Sequence, residues 1–187
     1  MNSEVLIAKK LKKYIDVTEK WKNNLKPFSF SISIDKNYID DDGIIHPIEG
    51  KEYANIMKEE SDEYKISNLI GNEIGGNIHL IPEITDLTNI KGNGKKTADI
   101  SRNGIKWDLK TPKYKTNYSN LFNDIFKKSD LKLQSKNFIV NLINYPNITE
   151  DEILRITKRM FKNKYRNWIE GLIIVKDNHV YKIYIRE

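Results

Sequence analysis

The Asn103-Gly104 dipeptide constrains the fold of this chain more than any other local feature. Both residues tolerate the positive φ angles of a two-residue turn, and Asn-Gly between two strand-like runs is the strongest short-range signal for a β-hairpin. The flanking runs, 97–102 and 105–111, are therefore predicted to be antiparallel strands. A turn of only these two residues pairs Arg102 with Ile105 and so fixes the register of every later pair.

This register places two carboxylates on one face of the hairpin. Asp99 falls opposite Asp108, and Lys110, two positions further along, shares their face. The β-carbons of opposed residues lie about 4.5–5.5 Å apart. The other face carries only apolar side chains, those of Ala98, Ile100, Trp107 and Leu109. The pattern predicts one core face and one face that holds two carboxylates beside an ammonium group.

Like charges that oppose each other on a sheet destabilise it by up to about 1 kcal/mol, and a cation between them relieves the repulsion. Lys110 could act as this cation, and a divalent metal would do so better. Hard oxygen ligands suit Mg²⁺ or Mn²⁺, and Mg²⁺ commonly takes one or two carboxylates together with water and substrate phosphate. The spacing alone fits a metal site and also fits an ordinary charged surface hairpin.

The composition restricts the class of protein. The chain has 187 residues, of which 39% are hydrophobic and 31% charged, as is typical of a soluble globular domain. The lack of cysteine excludes disulfides, cysteine nucleophiles and thiolate zinc sites. Lys9-Lys10 interrupts the first apolar run, and no run approaches the roughly 18 apolar residues of a membrane span. We expect a cytoplasmic site of action and no membrane partner.

The charge of the chain is positive and unevenly distributed. The net charge is +6, and positions 106–166 contain fourteen Lys or Arg against six Asp or Glu. A basic stretch of this kind favours a polyanionic partner, of which nucleic acid is the commonest. A lysine-rich solvated surface would show the same composition.

Hydrophobic periodicity predicts the order of the secondary structure. Helices are predicted over 3–25, 52–72, 118–135 and 149–168, the last of them opened by a capping box of Thr149 and Glu152. Strands are predicted over 28–34, 79–84, 138–143, 172–175 and 180–185, besides the hairpin. The order from residue 52 onward, α-β-β-β-α-β-α-β-β, predicts an α/β sandwich around a mixed sheet. We expect residues 1–50 to form an N-terminal helix-and-strand appendage to a main domain of residues 51–187.

The hairpin also carries a resemblance to a known family. Asp99, followed nine positions later by Asp108-Leu109-Lys110, resembles the D…(D/E)xK signature of the PD-(D/E)XK nuclease superfamily. Segments 63–83, 97–99, 107–110 and 134–139 together resemble the C-terminal tRNase-like domain of contact-dependent growth inhibition (CdiA-type) toxins, over about residues 60–187. Related domains end some phage head-morphogenesis proteins and occur on mobile elements. The resemblance implies a restriction-endonuclease-like α/β sandwich with a central mixed sheet and an N-terminal helical segment. Many relatives have glutamate in place of Asp108, and the superfamily accepts both acids.

The resemblance further implies that Asp99, Asp108 and an acid from the preceding helix hold the metal. Glu63 is our choice for the third acid because it precedes Ile66 and Ile70 by three and seven positions and so shares their inward stripe. An inward glutamate is costly unless it is paired or binds a metal. The alternatives are Glu59, Glu60 and Glu83.

Two further side chains receive catalytic roles from the resemblance. Lys110 would orient or activate the attacking water and stabilise charge on the phosphate. Gln134 would hold a water or a phosphate, although a solvent-facing helix glutamine fits the sequence as well. No histidine is needed; His46 and His179 fall in predicted loops or turns, whereas His79 begins a predicted strand and could touch substrate.

The sequence therefore predicts a Mg²⁺- or Mn²⁺-dependent nuclease that hydrolyses phosphodiester bonds, and more narrowly a toxin-type RNase acting on tRNA. The expected partners are nucleic acid and a cognate immunity protein, with delivery from a larger secreted or phage-encoded protein. Two alternatives stay open. One is a non-catalytic phage or mobile-element binding module with a nuclease fold, and the other is a DNA endonuclease.

Overall fold

The computed structural model describes residues 13–32, 37–39, 45–47, 61–81, 98–114, 118, 120–127 and 135–187. Their strands are β1 (Tyr14–Asp16), β2 (Lys26–Ile32), β3 (Asn37–Ile39), β4 (Ile45–Pro47), β5 (Gly75–Leu80), β6 (Ile100–Arg102), β7 (Ile105–Lys110), β8 (Asn137–Asn141), β9 (Gly171–Lys176) and β10 (His179–Arg186). Their helices are α1 (Thr18–Asn23), α2 (Asp62–Ile74), α3 (Leu121–Lys127) and α4 (Glu150–Phe161), and a 3₁₀ turn spans Lys164–Arg166.

Eight of these strands form one mixed sheet in the order β1-β10-β9-β8-β7-β6-β5-β2. Strands β7, β8 and β9 are parallel to one another, as are β2 and β5, and the other neighbours are antiparallel. Strands β3 and β4 form a separate two-stranded sheet. The predicted element order after residue 52 and the mixed sheet are both confirmed.

Helices pack on both faces of the sheet. Helix α3 joins β7 to β8 and α4 joins β8 to β9, and both pack against Phe138, Val140 and Leu172 on one face. Two right-handed crossovers between successive parallel strands place their helices on the same side, as observed. Helix α2 packs on the opposite face, against Ile78 and Trp107. The architecture is thus mixed α/β, built on one eight-stranded mixed sheet; the restriction-endonuclease-like sandwich stays a prediction.

The termini of α2 follow from local chemistry. The Ser61 hydroxyl accepts a hydrogen bond from the backbone N–H of Tyr64 at 3.2 Å and so begins the helix. Gly75 ends it with a φ of 61°, where a β-carbon would lie 2.0 Å from the carbonyl oxygen of Lys26. Only glycine fits this junction, at which the chain passes from helix to strand without a loop.

The N-terminal segment differs from its prediction. Within the described part of 3–25, Tyr14–Asp16 is a strand and the helix spans only Thr18–Asn23. Tyr14 pairs with Arg186 of β10, and the Asp16 carboxylate accepts hydrogen bonds from the backbone N–H and the hydroxyl of Thr18 at 3.0 and 2.5 Å. Pairing with a distant strand therefore overrides the helical spacing. Leu25, the last residue of the predicted helix, is 59% exposed.

Residues 1–50 also contribute to the main sheet, since β1 and β2 are its two outermost strands. Strand β2 lies parallel to β5, with Phe30 beside Ile78. The proposed division at residue 50 falls outside the described residues and stays a prediction.

Other boundaries move by several residues. Helix α2 extends to Ile74, and β5 begins at Gly75, four positions earlier than predicted. The capping box of Thr149 and Glu152 is confirmed, but α4 ends at Phe161 instead of continuing to about residue 168. The described part of the predicted helix 118–135 is helical only over Leu121–Lys127. Across the described ranges, no helix has the length and apolarity that a membrane crossing requires.

Candidate functional site

The β6–β7 hairpin has the predicted register. Arg102 pairs with Ile105 and Ile100 with Trp107. Asn103 and Gly104 have φ angles of 51° and 79°, the positive values that a type I′ turn requires. The turn chemistry therefore determines which side chains of the two strands meet.

Asp99 immediately precedes β6, and hydrogen bonds hold it from both sides. Its backbone N–H donates to the carbonyl of Trp107 at 3.1 Å, and its carbonyl accepts from the N–H of Ile81 at 2.9 Å. Its carboxylate oxygen Oδ2 accepts from the backbone N–H of Leu109 at 2.6 Å. The Asp99 carboxyl is thereby fixed against the segment that carries Asp108 and Lys110.

Asp108 is buried, with 3% of its surface exposed, and it neighbours Phe138 on β8. Its Oδ2 atom lies 2.7 Å from Nζ of Lys110. The contact is an ion pair without hydrogen-bond geometry, so this buried oxygen has no hydrogen-bond donor among the described residues. A buried carboxylate is costly unless it is paired with a cation, and Lys110 supplies that cation here.

The two acids influence each other's ionisation. Burial, together with the hydrogen bond and the negative charge of Asp108, raises the pKa of the Asp99 carboxyl to about 8. The N–H of Leu109 and the ammonium group of Lys110 oppose this shift only in part. Asp99 therefore holds a proton near neutral pH in the metal-free protein.

Lys110 opens onto a cavity of about 270 Å³ at the carboxyl end of β7. The cavity is lined by Leu109, Lys110, Thr111, Pro112, Lys113, Leu121, Asp124, Ile125 and Tyr145. Ligands of open α/β sheets bind in the crevice outside the carboxyl ends of the strands, which is where this cavity lies. Lys110 thus joins the carboxyl pair, through its contact with Asp108, to a space that can hold part of a substrate.

A cluster of tyrosines stands beside this cavity. The Tyr145 hydroxyl donates to the carbonyl of Lys113 at 2.5 Å, which ties the segment after β7 to the segment after β8. The rings of Tyr114 and Tyr118 each lie 5.7 Å from that of Tyr145, and Tyr114 is 56% exposed. Sequence analysis missed this cluster because its members meet only when two parallel strands end at the same edge of the sheet.

Glu63 does not form a metal-holding group of three with Asp99 and Asp108 among the described side chains. It lies in the first turn of α2, which covers the sheet face opposite to the Asp108 side chain. The predicted inward stripe is real, since Ile66 and Ile70 are buried, but it faces the other layer. Within the described ranges, no group of three or more His, Cys, Asp or Glu side chains could hold a metal ion.

Four other candidate residues lie outside the described part of the chain: Gln134, Glu59, Glu60 and Glu83. Ser135, which follows Gln134, donates its hydroxyl to the carbonyl of Lys106 at 2.8 Å, near the start of β7.

All three histidines lie in strands. His46 is in β4 and His179 begins β10, so the predicted loop positions of these two are wrong. His179 contacts Glu73 through Nδ1 at 2.8 Å. His79 is an exposed residue of β5 whose ring binds Ser31.

Only some of the basic residues between positions 106 and 166 are exposed. Lys113 and Lys127 are exposed, near the cavity and at the end of α3 respectively. Arg166 is 6% exposed, and its guanidinium group donates to the side-chain oxygen of Asn123 at 2.7 Å. Arg166 is therefore a packing residue, whereas the two lysines are available to a polyanion.

Comparison with known proteins gives one family match. The family model of the contact-dependent growth inhibition CdiA C-terminal domain matches residues 95–180, slightly less than half of the chain. This span includes Asp99, Asp108 and Lys110, and it confirms the resemblance to CdiA-type domains over these residues. The PD-(D/E)XK assignment stays a prediction.

A solved structure described as a CdiA-CT/CdiI toxin and immunity complex from Burkholderia pseudomallei shows a distant similarity, with 16% sequence identity and a TM-score of 0.48. The alignment covers 85% of this chain and 100% of that chain. None of the curated proteins matches this chain.

Proposed function

We propose that this chain is a toxin-type nuclease that hydrolyses phosphodiester bonds in RNA with the help of Mg²⁺ or Mn²⁺. The observation that carries the proposal is the grouping of the Asp99 and Asp108 carboxyls with Lys110, a residue that also lines a cavity. The helix–hairpin–helix–strand order around these residues supports a PD-(D/E)XK-like core, since the motif lies on the hairpin β6–β7 and is followed by α3 and β8.

The carboxyl pair suits a divalent cation. A divalent cation would compete with the Lys110 ammonium group for the Asp108 carboxylate, and it would displace the proton that Asp99 keeps near neutral pH. Asp99 and Asp108 would therefore be the metal ligands, with water or substrate oxygens completing the shell. Glu63 stays the proposed source of a third carboxylate, with Glu59, Glu60 and Glu83 as the alternatives.

Each of these residues has a separate role in the proposed reaction. The metal, when bound, would supply an activated water and stabilise charge on the phosphoryl group. The backbone N–H of Leu109 orients the Asp99 carboxyl. Lys110 lies between the carboxyl pair and the cavity, where its ammonium group can donate to a non-bridging phosphate oxygen. Gln134 is kept as a proposed contact to a water or phosphate.

The toxin role is supported by the CdiA C-terminal match over residues 95–180. The four sequence segments that resemble the tRNase-like domains of such toxins support tRNA as the substrate. On this proposal the chain acts in the cytoplasm of a target cell after delivery as part of a larger protein, and a cognate immunity protein protects the producing cell.

The experiment is a cleavage assay of the purified chain with tRNA, ribosomal RNA and duplex DNA, each with Mg²⁺ or with EDTA. We expect Mg²⁺-dependent cleavage of tRNA, which Asp108→Asn abolishes. Asp151→Asn, at an exposed position of α4, is the matched control and should cleave normally. Cleavage that persists in EDTA would refute the metal mechanism. Cleavage of DNA alone would favour the endonuclease alternative, and binding without cleavage would favour the binding module.

A further inference from the structure

A row of polar side chains crosses four strands next to the carboxyl pair. Ser31 of β2 lies beside His79 of β5, His79 beside Ser101 of β6, and Ser101 beside Lys106 of β7. Neighbouring members of such a row point to the same face of the sheet. The four residues come from sequence positions far apart and are assembled only by the sheet.

This row lies on the same face as the Asp108 side chain. Ile78 and Leu80, which alternate with His79, are buried against α2 on the opposite face. Asp108 follows Lys106 by two positions on β7, so the two share a face. The carboxyl pair is therefore the next row along the strands, in the direction of the cavity.

Among the described residues, the β2 and β5 part of this surface is exposed, and Ser101 and Lys106 are half-buried. Helices α3 and α4 cover the β8–β10 part of this face, and no described helix packs over β2, β5 and β6 there. Ser29, Ser31, Asn77 and His79 are all exposed. A strand of nucleic acid could thus lie along this polar face and reach the carboxyl pair without displacing any described element.

The His79 ring is held in a defined orientation. Its Nδ1 atom lies 2.5 Å from the hydroxyl oxygen of Ser31. This contact occupies Nδ1 and leaves Nε2 for a ligand; when the Ser31 hydroxyl donates, Nε2 carries the hydrogen and is a donor. Asn77, the preceding exposed residue of β5, is similarly held by Ser29 at 2.8 Å. The open face therefore presents oriented donors.

The distance to the carboxyl pair suits a neighbouring nucleotide. His79 lies one strand away from Asp99 and two residues along, since Ile81 binds the Asp99 carbonyl. With ordinary strand spacings, their Cα atoms are about 8 Å apart. A phosphate at Nε2 would thus be close to, but distinct from, the phosphate that undergoes cleavage.

We infer that the Ser31–His79–Ser101–Lys106 row is the track on which a single strand of RNA lies, and that His79 binds the phosphate next to the scissile one. The inference rests on the proposed nuclease function for the identity of the scissile phosphate. It adds an RNA-binding surface and a substrate-binding residue that lie outside the motif of two acids and a lysine.

The test measures binding without cleavage. A fluorescein-labelled single-stranded RNA oligonucleotide is titrated in EDTA, with anisotropy as the readout. Loss of a hydrogen bond to a charged phosphate predicts about 10-fold weaker binding for His79→Ala. His79→Gln, whose amide nitrogen reaches the position of Nε2, should bind within about 3-fold of the wild type. His179→Ala is the matched control, since that exposed histidine contacts Glu73 instead, and should bind normally.

A second variant keeps the test independent of the stability of His79→Ala. Ser101→Glu places a negative charge in the middle of the row and should weaken RNA binding by at least 10-fold. In Mg²⁺, His79→Ala should raise KM with kcat changed by less than 3-fold, because the contact is made to a phosphate that does not react. Binding of both variants at the wild-type affinity would overturn the inference.

The two proposals fail in different ways. RNA binding that depends on His79, without any cleavage in Mg²⁺, would remove the nuclease function and leave the track in place. Cleavage by the wild type, with His79→Ala and Ser101→Glu binding and cleaving normally, would remove the track and leave the nuclease. Preference for a DNA oligonucleotide of the same sequence would contradict the RNA assignment.

Discussion

The substitution Asp99→Asn offers the sharpest test of how the carboxyl pair is built. The pKa of Asp99 is about 8 in the folded protein and has its ordinary value of 3.8 in an unfolded chain. A group whose pKa is higher in the folded than in the unfolded protein stabilises the folded state. This stabilisation is complete at pH values below the unfolded pKa and is lost as the pH rises through the folded pKa. Between these limits the folded state binds one proton more than the unfolded state, and the free energy of unfolding falls by about 1.4 kcal/mol per pH unit from this group.

Asparagine removes this titration and keeps most of the contacts. Its side-chain oxygen can still accept from the N–H of Leu109, and its amide can donate to Asp108. The difference in unfolding free energy between Asp99→Asn and the wild type should therefore grow in favour of the variant by about 1.4 kcal/mol per unit from pH 5 to pH 7.5. The gain in stability is expected although activity is lost.

The assay is urea unfolding in EDTA, followed by tryptophan fluorescence at half-unit steps of pH. Asp151→Asn serves as the control and should follow the wild-type pH dependence, because that carboxyl is exposed. Parallel stability profiles for Asp99→Asn and the wild type would refute the buried, protonated carboxyl. Saturating Mg²⁺ should flatten the wild-type profile between pH 6 and 7.5 and leave that of Asp99→Asn unchanged.

Three further predictions concern the same surface. Mg²⁺ should bind with release of about one proton, so that its affinity, measured by calorimetry in buffers of different ionisation enthalpy, rises about tenfold per pH unit below pH 8; an affinity independent of pH would contradict this. Lys110→Ala should lower turnover at saturating Mg²⁺ by roughly 100-fold while Mg²⁺ still binds, with Lys65→Ala, at an exposed position of α2, as the control; activity within a few-fold of the wild type would reduce Lys110 to a counter-ion. The double variant Lys113→Glu, Lys127→Glu should weaken RNA binding and reduce the salt dependence of its affinity, and an unchanged salt slope would mean that neither lysine contacts phosphate.

The features that the sequence predicted well are those that short-range chemistry determines. The register of β6 and β7 depends on two turn residues, Asn103 and Gly104, and every pair between Arg102 and Trp107 follows from them. The capping box at Thr149 is likewise local. These interactions join residues a few positions apart, so no knowledge of the rest of the fold is needed to infer them.

The features that sequence analysis missed depend on distant contacts. Tyr14–Asp16 has helical spacing, but backbone hydrogen bonds to β10, about 170 residues away, make it a strand. Glu63 lies on the predicted stripe of α2, yet periodicity does not say which face of the sheet that stripe meets. The contact of His79 with Ser31 requires β2 and β5 to be neighbours, which no local pattern indicates.

The short separation of Asp99, Asp108 and Lys110 along the chain has a consequence for the order of folding. Hairpins of this size form in microseconds, whereas the joining of β1 to β10 must overcome the closure entropy of nearly the whole chain. The two acids should therefore approach each other early, before β1 pairs with β10. Their repulsion then raises the free energy of the hairpin while the rest of the chain is still unfolded. Protonation of Asp99 lowers that repulsion, so refolding should be faster at mildly acidic pH, while a chain shortened before Thr18 should still assemble the acids in their final places.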